Sequence, residues 1–282
     1  MLNYTPHIQT IYYKEIEIAV LRLDLIHPEI SGNKWFKLKY NINQAIAENK
    51  NTIITFGGAY SNHIAATAAA CKLFHLKCIG IIRGEKTSEN NNTLGLAKQQ
   101  GMELMFVTRE EYKRKHEEHY IQQLQKNYPT AYIIPEGGDN DLGAKGCEEI
   151  ITNDTEKYQQ LFCAYGTGTT FKGIAKSLLP HQQLTGINVL NYQAETHLQQ
   201  ATINNNFHGG GYAKHTNECL LFKQWFENTY SIPLDYVYTA KLFFAVFELI
   251  NQQHLPNQQK ILIIHSGGLQ GNKGYEERYK LS

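Results

Sequence analysis

The chain has 282 residues, 42% of them hydrophobic, enough to bury a large core and to form two lobes. Its 27 basic and 26 acidic residues leave a formal charge of +1, which points away from nucleic acid and anionic membranes. No apolar run is long enough to span a bilayer, Met1-Leu2-Asn3-Tyr4 does not begin a signal peptide, and Cys71, Cys78, Cys147, Cys163 and Cys219 form no C-x-x-C pair; they read as reduced core thiols of a cytoplasmic protein.

Glu15 to Asp24 alternates as a strand does, and the extended run stops at His27-Pro28. Helical spacing then runs from Asn33 to Asn49 through Phe36, Leu38, Ile42, Ala45 and Ile46. Asn33 is the expected N-cap, which places Lys34 in the first turn. The helix field is positive there and favours a neutral amine, the form that condenses with carbonyls to make Schiff bases. The plain alternative is a solvated lysine that happens to start a helix.

Thr52 to Phe56 is a short buried strand ending at Gly57-Gly58, followed by an alanine-rich helix from Ser61 to Phe74. Cys78 to Arg83 is a strand, Asn92 to Gln100 a helix, Glu103 to Val107 a strand, Arg109 to Tyr128 a polar helix and Ala131 to Pro135 a strand. Helices alternating with short apolar strands predict a parallel sheet covered on both faces. After Glu136-Gly137-Gly138 come a helix over Leu142 to Asn153 and a strand over Gln160 to Tyr165. A helix opening at Gly166-Thr167-Gly168-Thr169-Thr170 runs to Leu179, and Leu184 to Leu190 is a strand. The polar run Asn191 to Asn206 has no clear periodicity. Asn217 to Thr229 and Ala240 to Gln252 read as helices, Lys260 to His265 as the last strand, and Leu269 to Ser282 as a loop anchored by Tyr275 beside Tyr279. The fold class is α/β, doubly wound.

Ligands of such folds bind beyond the carboxyl ends of the strands, where four unusual turns fall. These are Gly57 to His63, Glu136 to Gly138, Gly166 to Thr170, and His265-Ser266-Gly267-Gly268. Gly166 to Thr170 has the chemistry of a phosphate cradle: approachable N–H groups, a helix start and hydroxyl donors. Gly173 is wrongly spaced for a dinucleotide fingerprint and no Gly-Lys-Ser/Thr follows, so a small phosphate monoester fits better than a nucleotide. A glycine turn with capping threonines is the bland account. Ser61-Asn62-His63 suits a carboxylate or ring hydroxyl, against an N-cap serine beside a surface histidine. His116-Glu117-Glu118-His119 lacks the His-Glu-x-x-His order and reads as a solvated helix face, so no metal is expected. Asn204-Asn205-Asn206 and His208 to Gly211 look like a flexible loop before Tyr212.

Taken in order, Gly32-Asn33-Lys34, Gly57-Gly58-x-x-Ser61-Asn62-His63, Gly166 to Thr170, Val237-Tyr238-Thr239-x-Lys241 and His265 to Gly268 resemble the pyridoxal-phosphate enzymes of the tryptophan synthase β fold. The nearest likeness is to the 1-aminocyclopropane-1-carboxylate deaminase/D-cysteine desulfhydrase family, from about Leu21 to Tyr275. The resemblance implies two doubly wound lobes, residues 1–36 with 150–282 for the larger and 37–149 for the smaller. It implies that Lys34 holds pyridoxal 5'-phosphate as a Schiff base and that Asn62 bonds the ring 3′-oxygen. Gly166, Thr167, Gly168, Thr169 and Thr170 would hold the phosphate, and Ser266 would face the pyridine nitrogen. Ser61 and His63 would meet the carboxylate of a small amino-acid substrate, with Tyr238 and Tyr212 over it. A homodimer is likewise implied.

The departures carry information. Deaminases of the family have a glutamate after the tyrosine and a leucine in the last Gly-Gly turn, where this chain has Thr239 and Ser266. A hydroxyl at the pyridine nitrogen leaves it unprotonated, which suits expulsion of a β leaving group more than opening of a cyclopropane. Phe36 stands where the family usually has arginine, and Tyr60 where it often has glutamine. The expected activity is a D-cysteine desulfhydrase-like β-elimination catalysed by Lys34, Ser61 and Tyr238. The competing expectations are deamination of 1-aminocyclopropane-1-carboxylate, a pyridoxal-phosphate-binding protein without turnover, and an unrelated domain binding another phosphate.

Overall fold

The structure, a computed structural model, describes residues 2–84, 91–255 and 259–281. Strands β1 (Ile8–Tyr13) and β2 (Ile16–Arg22) form a hairpin whose two-residue turn, Lys14-Glu15, takes positive φ at both positions. There follow α1 (Asn33–Ala47), β3 (Thr52–Gly58), α2 (Asn62–Leu73), β4 (Lys77–Arg83), α3 (Asn92–Gln99) and β5 (Met102–Val107). Next come α4 (Arg109–Lys113), α5 (Glu118–Asn127), β6 (Ala131–Ile134), α6 (Asp141–Glu148), β7 (Gln160–Tyr165) and α7 (Thr169–Lys176). The chain finishes with β8 (Gln183–Asn188), β9 (Ala201–Asn204), α8 (Asn217–Tyr230), α9 (Thr239–Asn251), β10 (Ile261–His265) and α10 (Asn272–Tyr279).

Two sheets result, one ordered β1-β2-β10-β7-β8-β9 and the other β5-β4-β3-β6. Every pairing is parallel except that of the β1–β2 hairpin. In the larger sheet Ile18, Val20, Ile261 and Ile263 turn to one face, against Phe243, Val246 and Phe247 of α9. Their neighbours Ala19, Leu21, Leu262 and Ile264 turn to the other, against Phe171 and Ile174 of α7. That period-2 division, with apolar residues on both sides, is why β10 reads as an unbroken apolar run. Helix α1 serves both cores. Phe36 enters that of the larger sheet, whereas Trp35, Leu38, Ile42 and Ala45 pack with Ile53 and the alanines of α2 beside the smaller. The helix therefore lies at the junction of the sheets.

The structure corrects several expectations. Strand β2 ends at Arg22, because the buried Arg22 guanidinium takes Asp24 through two hydrogen bonds of 2.9 and 2.7 Å and bends the chain into a 3₁₀ turn. The polar helix over Arg109 to Tyr128 is two helices, with Glu117 extended between them. His116 and His119 thus sit on separate pieces, and among the described residues no cluster of three metal-binding side chains occurs. Helices α6 and α7 end earlier than their periodicity suggests, at Glu148 and Lys176. The polar run Asn191 to Asn206 holds the edge strand β9, and the tail expected as a loop is mostly helical, α10. All five cysteines are buried and free, and no helix among the described residues is long and apolar enough to cross a membrane.

Candidate active site

Lys34 owes its place to a contact between distant glycines. Gly32 precedes α1 with φ 69° and ψ −146°, a conformation that glycine alone adopts readily, and it packs directly against the turn after β10. A Cβ on Gly32 would lie 1.8 Å from the Ser266 carbonyl oxygen, and one on Gly267 would lie 2.7 Å from Ser31 Oγ. Asn33 N–H donates to that same Ser266 carbonyl at 3.1 Å. The start of α1 is thereby fixed to the end of β10.

Asn33 is not the cap expected of it; it is the first helical residue, and Gly32 caps without a side chain. Its amide instead bridges the site. Lys34 Nζ donates to Asn33 Oδ1 at 2.8 Å, and Asn33 Nδ2 donates to Thr170 Oγ1 at 2.8 Å. No acid occupies the first turn. Burial, followed by the charge of Lys37 one turn on, lowers the Lys34 amine from 10.5 to about 7, so much of it is uncharged at neutral pH. Lys37 is itself buried and held below the usual ammonium range, chiefly by desolvation.

Lys34 opens into a cavity of about 640 Å³ lined by every expected site residue except Thr169. The α7 N-terminus forms one wall, where helix geometry leaves backbone N–H groups without carbonyl partners. Thr170 accepts from Asn33 and keeps its proton for a ligand. The Thr169 hydroxyl turns away and donates to Asp139 at 2.5 Å, so only its backbone remains for an anion. Lys37 joins this wall, and sequence reasoning gave it no role although its spacing of three from Lys34 puts both on one helix face.

The opposite wall is the start of α2. Ser61 is the N-cap and accepts from Ile64 N–H at 3.4 Å, leaving its hydroxyl proton free. Asn62 donates to the Gly268 carbonyl at 3.1 Å while its Oδ1 is buried without a partner. The bland account of this turn needs a surface histidine beside Ser61, but His63 is 2% exposed. Thr55 spends its only hydroxyl proton on the Ile134 carbonyl at 2.8 Å, so it accepts from His63 Nε2, also at 2.8 Å. The imidazole is therefore the Nε2–H tautomer, and desolvation pushes it down to about 3, which keeps it neutral. Its buried, unpartnered Nδ1 is an acceptor. In that form it accepts and does not donate, so pairing with a carboxylate would need a second ring proton.

Tyr238 and Tyr212 meet edge to face at 6.2 Å over the mouth. Tyr238 is set by Asp235, whose carboxylate accepts from the N–H groups of Val237, Tyr238 and Thr239 at 2.9, 3.0 and 2.7 Å and from the Thr239 hydroxyl at 2.8 Å. Asp235 thus caps the start of α9, a role missed by sequence reasoning whose signal was an aspartate four residues before a threonine at a helix start. Thr239 faces Asp235 and is fully buried, leaving Ser266 as the hydroxyl on that wall. Phe36 is remote from the chemistry. It is 1% exposed and packs edge-on against Tyr4 at 4.9 Å. Tyr60 does reach the mouth, its ring pressed on Gly274 of α10.

These groups match the pyridoxal phosphate that the resemblance implies. The α7 N-terminus, Thr170 and Lys37 suit a phosphate, Lys34 offers an amine to an aldehyde, and Asn62 and Ser266 offer polar contacts to a substituted pyridine. Comparisons with known proteins agree. The family model described as pyridoxal-phosphate dependent enzyme matches residues 13–209. A protein of Thermotoga maritima named putative 1-aminocyclopropane-1-carboxylate deaminase is 30% identical, over 90% of this chain and 89% of its own length. The mitochondrial Arabidopsis thaliana protein named bifunctional D-cysteine desulfhydrase/1-aminocyclopropane-1-carboxylate deaminase is 27% identical, over 90% of this chain and 73% of its own. A solved structure of an ACC deaminase homologue superposes with a TM-score of 0.83 at 25% identity, covering 98% of this chain and 93% of that one.

Proposed function

This chain belongs to the pyridoxal-phosphate dependent enzymes, and on that premise we propose that it is a lyase that β-eliminates and deaminates a small amino acid, with D-cysteine as first choice. The products are a 2-oxo acid, ammonia and hydrogen sulfide, and one water is consumed. The observation that carries the reading is an amine near pKa 7 that shares one cavity with the hydroxyls of Ser61, Tyr238 and Ser266.

Bound pyridoxal phosphate supplies an electron sink for the α-carbon, and Ser266 in place of a carboxylate at the ring nitrogen suits that sink to expelling a good leaving group. Lys34 as a free amine would take the Cα proton of the substrate as general base, for which an amine titrating near neutrality is matched. The Ser61 hydroxyl and the α2 N-terminus receive the carboxylate. Tyr238, whose burial raises its phenol well above the ordinary value, keeps its proton to donate toward the departing sulfur. Tyr212 covers the mouth and excludes water.

Deamination of 1-aminocyclopropane-1-carboxylate is the second reading, supported by the names of the relatives at 30% and 27% identity. The residues placed in the larger lobe are 1–36 and 150–282, those in the smaller 37–149; we assign the protein to the cytoplasm and to a homodimer, which sedimentation tests. The deciding experiment is the visible spectrum of protein given pyridoxal phosphate, then borohydride reduction, peptide mapping and release of 2-oxo acid from both substrates. A yellow protein labelled at Lys34 that is faster on D-cysteine is expected. Faster ring opening overturns the substrate, spectral change without product overturns turnover, and a label elsewhere overturns the site.

A further inference from the structure

Lys241 lies on α9 three residues after Tyr238 and is 1% exposed. A buried lysine is costly, and among the described residues no carboxylate hydrogen-bonds this one. Its Nζ donates to the carbonyls of His208 and Gly211, each at 2.7 Å, and reaches that of Val189 at 3.4 Å. The first two acceptors belong to the loop that carries Tyr212. That loop has no helix or strand, and Gly209, Gly210, Gly211 and Ala213 all take positive φ, 60°, 89°, 113° and 52°. A chain with such freedom is expensive to hold in one shape. Its other ties are two turns of its own, Gly211 N–H to the His208 carbonyl at 3.0 Å and Lys214 N–H to that of Gly211 at 3.2 Å, the Tyr279 hydroxyl on the Ala213 carbonyl at 2.7 Å, and the packing of Gly211 on Asn191 and of Tyr212 on Tyr238.

We infer that Lys241 is a positioning residue that clamps the 208–213 loop and so holds Tyr212 over the substrate and against Tyr238. One helix then sets both tyrosines, Tyr238 through its first turn and Tyr212 through an amine one turn further on. An apolar side chain would fill the same volume at less cost, yet would leave each of the two loop carbonyls with only a backbone donor, Gly211 N–H for His208 and Lys214 N–H for Gly211, and would cut the loop's tie to α9. The inference rests on the proposed lyase reading only where substrate is involved; the clamp itself does not.

The test is Lys241→Met, with hydrogen exchange as the first readout. Amides of residues 207–214 are expected to lose protection at least tenfold, with β7 and β3 unchanged. Unchanged exchange in the loop overturns the clamp, whatever the enzyme turns over. The second readout is kinetic, with D-cysteine as substrate. KM should rise about tenfold with a smaller fall in kcat, and Lys241→Met should add nothing to Tyr212→Ala, since the amine acts through that ring. Additive effects of the two changes overturn the assignment to Tyr212 even where the loop has loosened. Should Lys241→Met fail to fold, Lys241→Gln gives the same pair of readouts.

Discussion

Removing the amine of Lys34 should make the cofactor-free protein more stable, by an amount that depends on pH. The folded chain holds this amine at about 7, whereas an unfolded chain holds it at 10.5, and desolvation is the main cause. At about 1.36 kcal/mol per pH unit, the difference corresponds to roughly 5 kcal/mol. Between 7 and 10.5 the unfolded state binds more protons, so stability rises with pH across that window. Below 7 both states are protonated and the full penalty stands; above 10.5 it is gone. Lys34→Met should therefore exceed wild type by roughly 5 kcal/mol at pH 6, and this part of its advantage should vanish by pH 10.5. Urea unfolding of both proteins without cofactor, at pH 6, 8 and 10.5, measures it. An advantage that does not shrink as pH rises refutes the reasoning, because a merely better-packed methionine has no pH dependence.

Gly32→Ala should lower stability by roughly 2–6 kcal/mol, the sum of a strained backbone and a Cβ that must be pushed off the Ser266 carbonyl. Thermal unfolding reads the loss, and borohydride labelling of Lys34 should fall with it; full labelling at wild-type stability would contradict the contact. Asp235→Ala removes the acceptor of three backbone N–H groups and one hydroxyl at the start of α9 and should cost about 1–2 kcal/mol as a lost cap. Release of 2-oxo acid should drop at least tenfold through kcat while the visible spectrum persists, and an unaltered kcat would remove Asp235 from the positioning of Tyr238.

Much of the architecture can be read along the chain because its strands and turns carry strong local signals. Ile261 to Ile264 is apolar at every position, as a strand covered on both faces must be, and the glycine turns mark the carboxyl ends where the cavity lies. What escapes is decided by partners far off in sequence. Helix α10 has two tyrosines among polar residues and no apolar stripe; it forms because Tyr275 stacks on Tyr236 at 4.7 Å and bonds His215 at 2.5 Å. The tautomer of His63 depends on Thr55, whose own proton depends on a carbonyl of β6. Asn33 looked like a cap because its residue type favours caps, but the Ser266 carbonyl already takes its N–H and turns its side chain toward Thr170. Phe36 was read as an active-site departure from position alone, and its burial in the larger core removes it from the chemistry.

The seating of Gly32 on Ser266 and Gly267 has a consequence for the order of events in the cell. A ribosome delivers the reactive lysine long before the turn after β10 that orients it. Until that final strand has inserted between β2 and β7, the N-terminal hairpin has no neighbour and the amine has no fixed address. A chain that stops short of β10 therefore lacks the carbonyl that fixes the start of α1, and selective condensation of Lys34 with an aldehyde is tied to completion of this sheet.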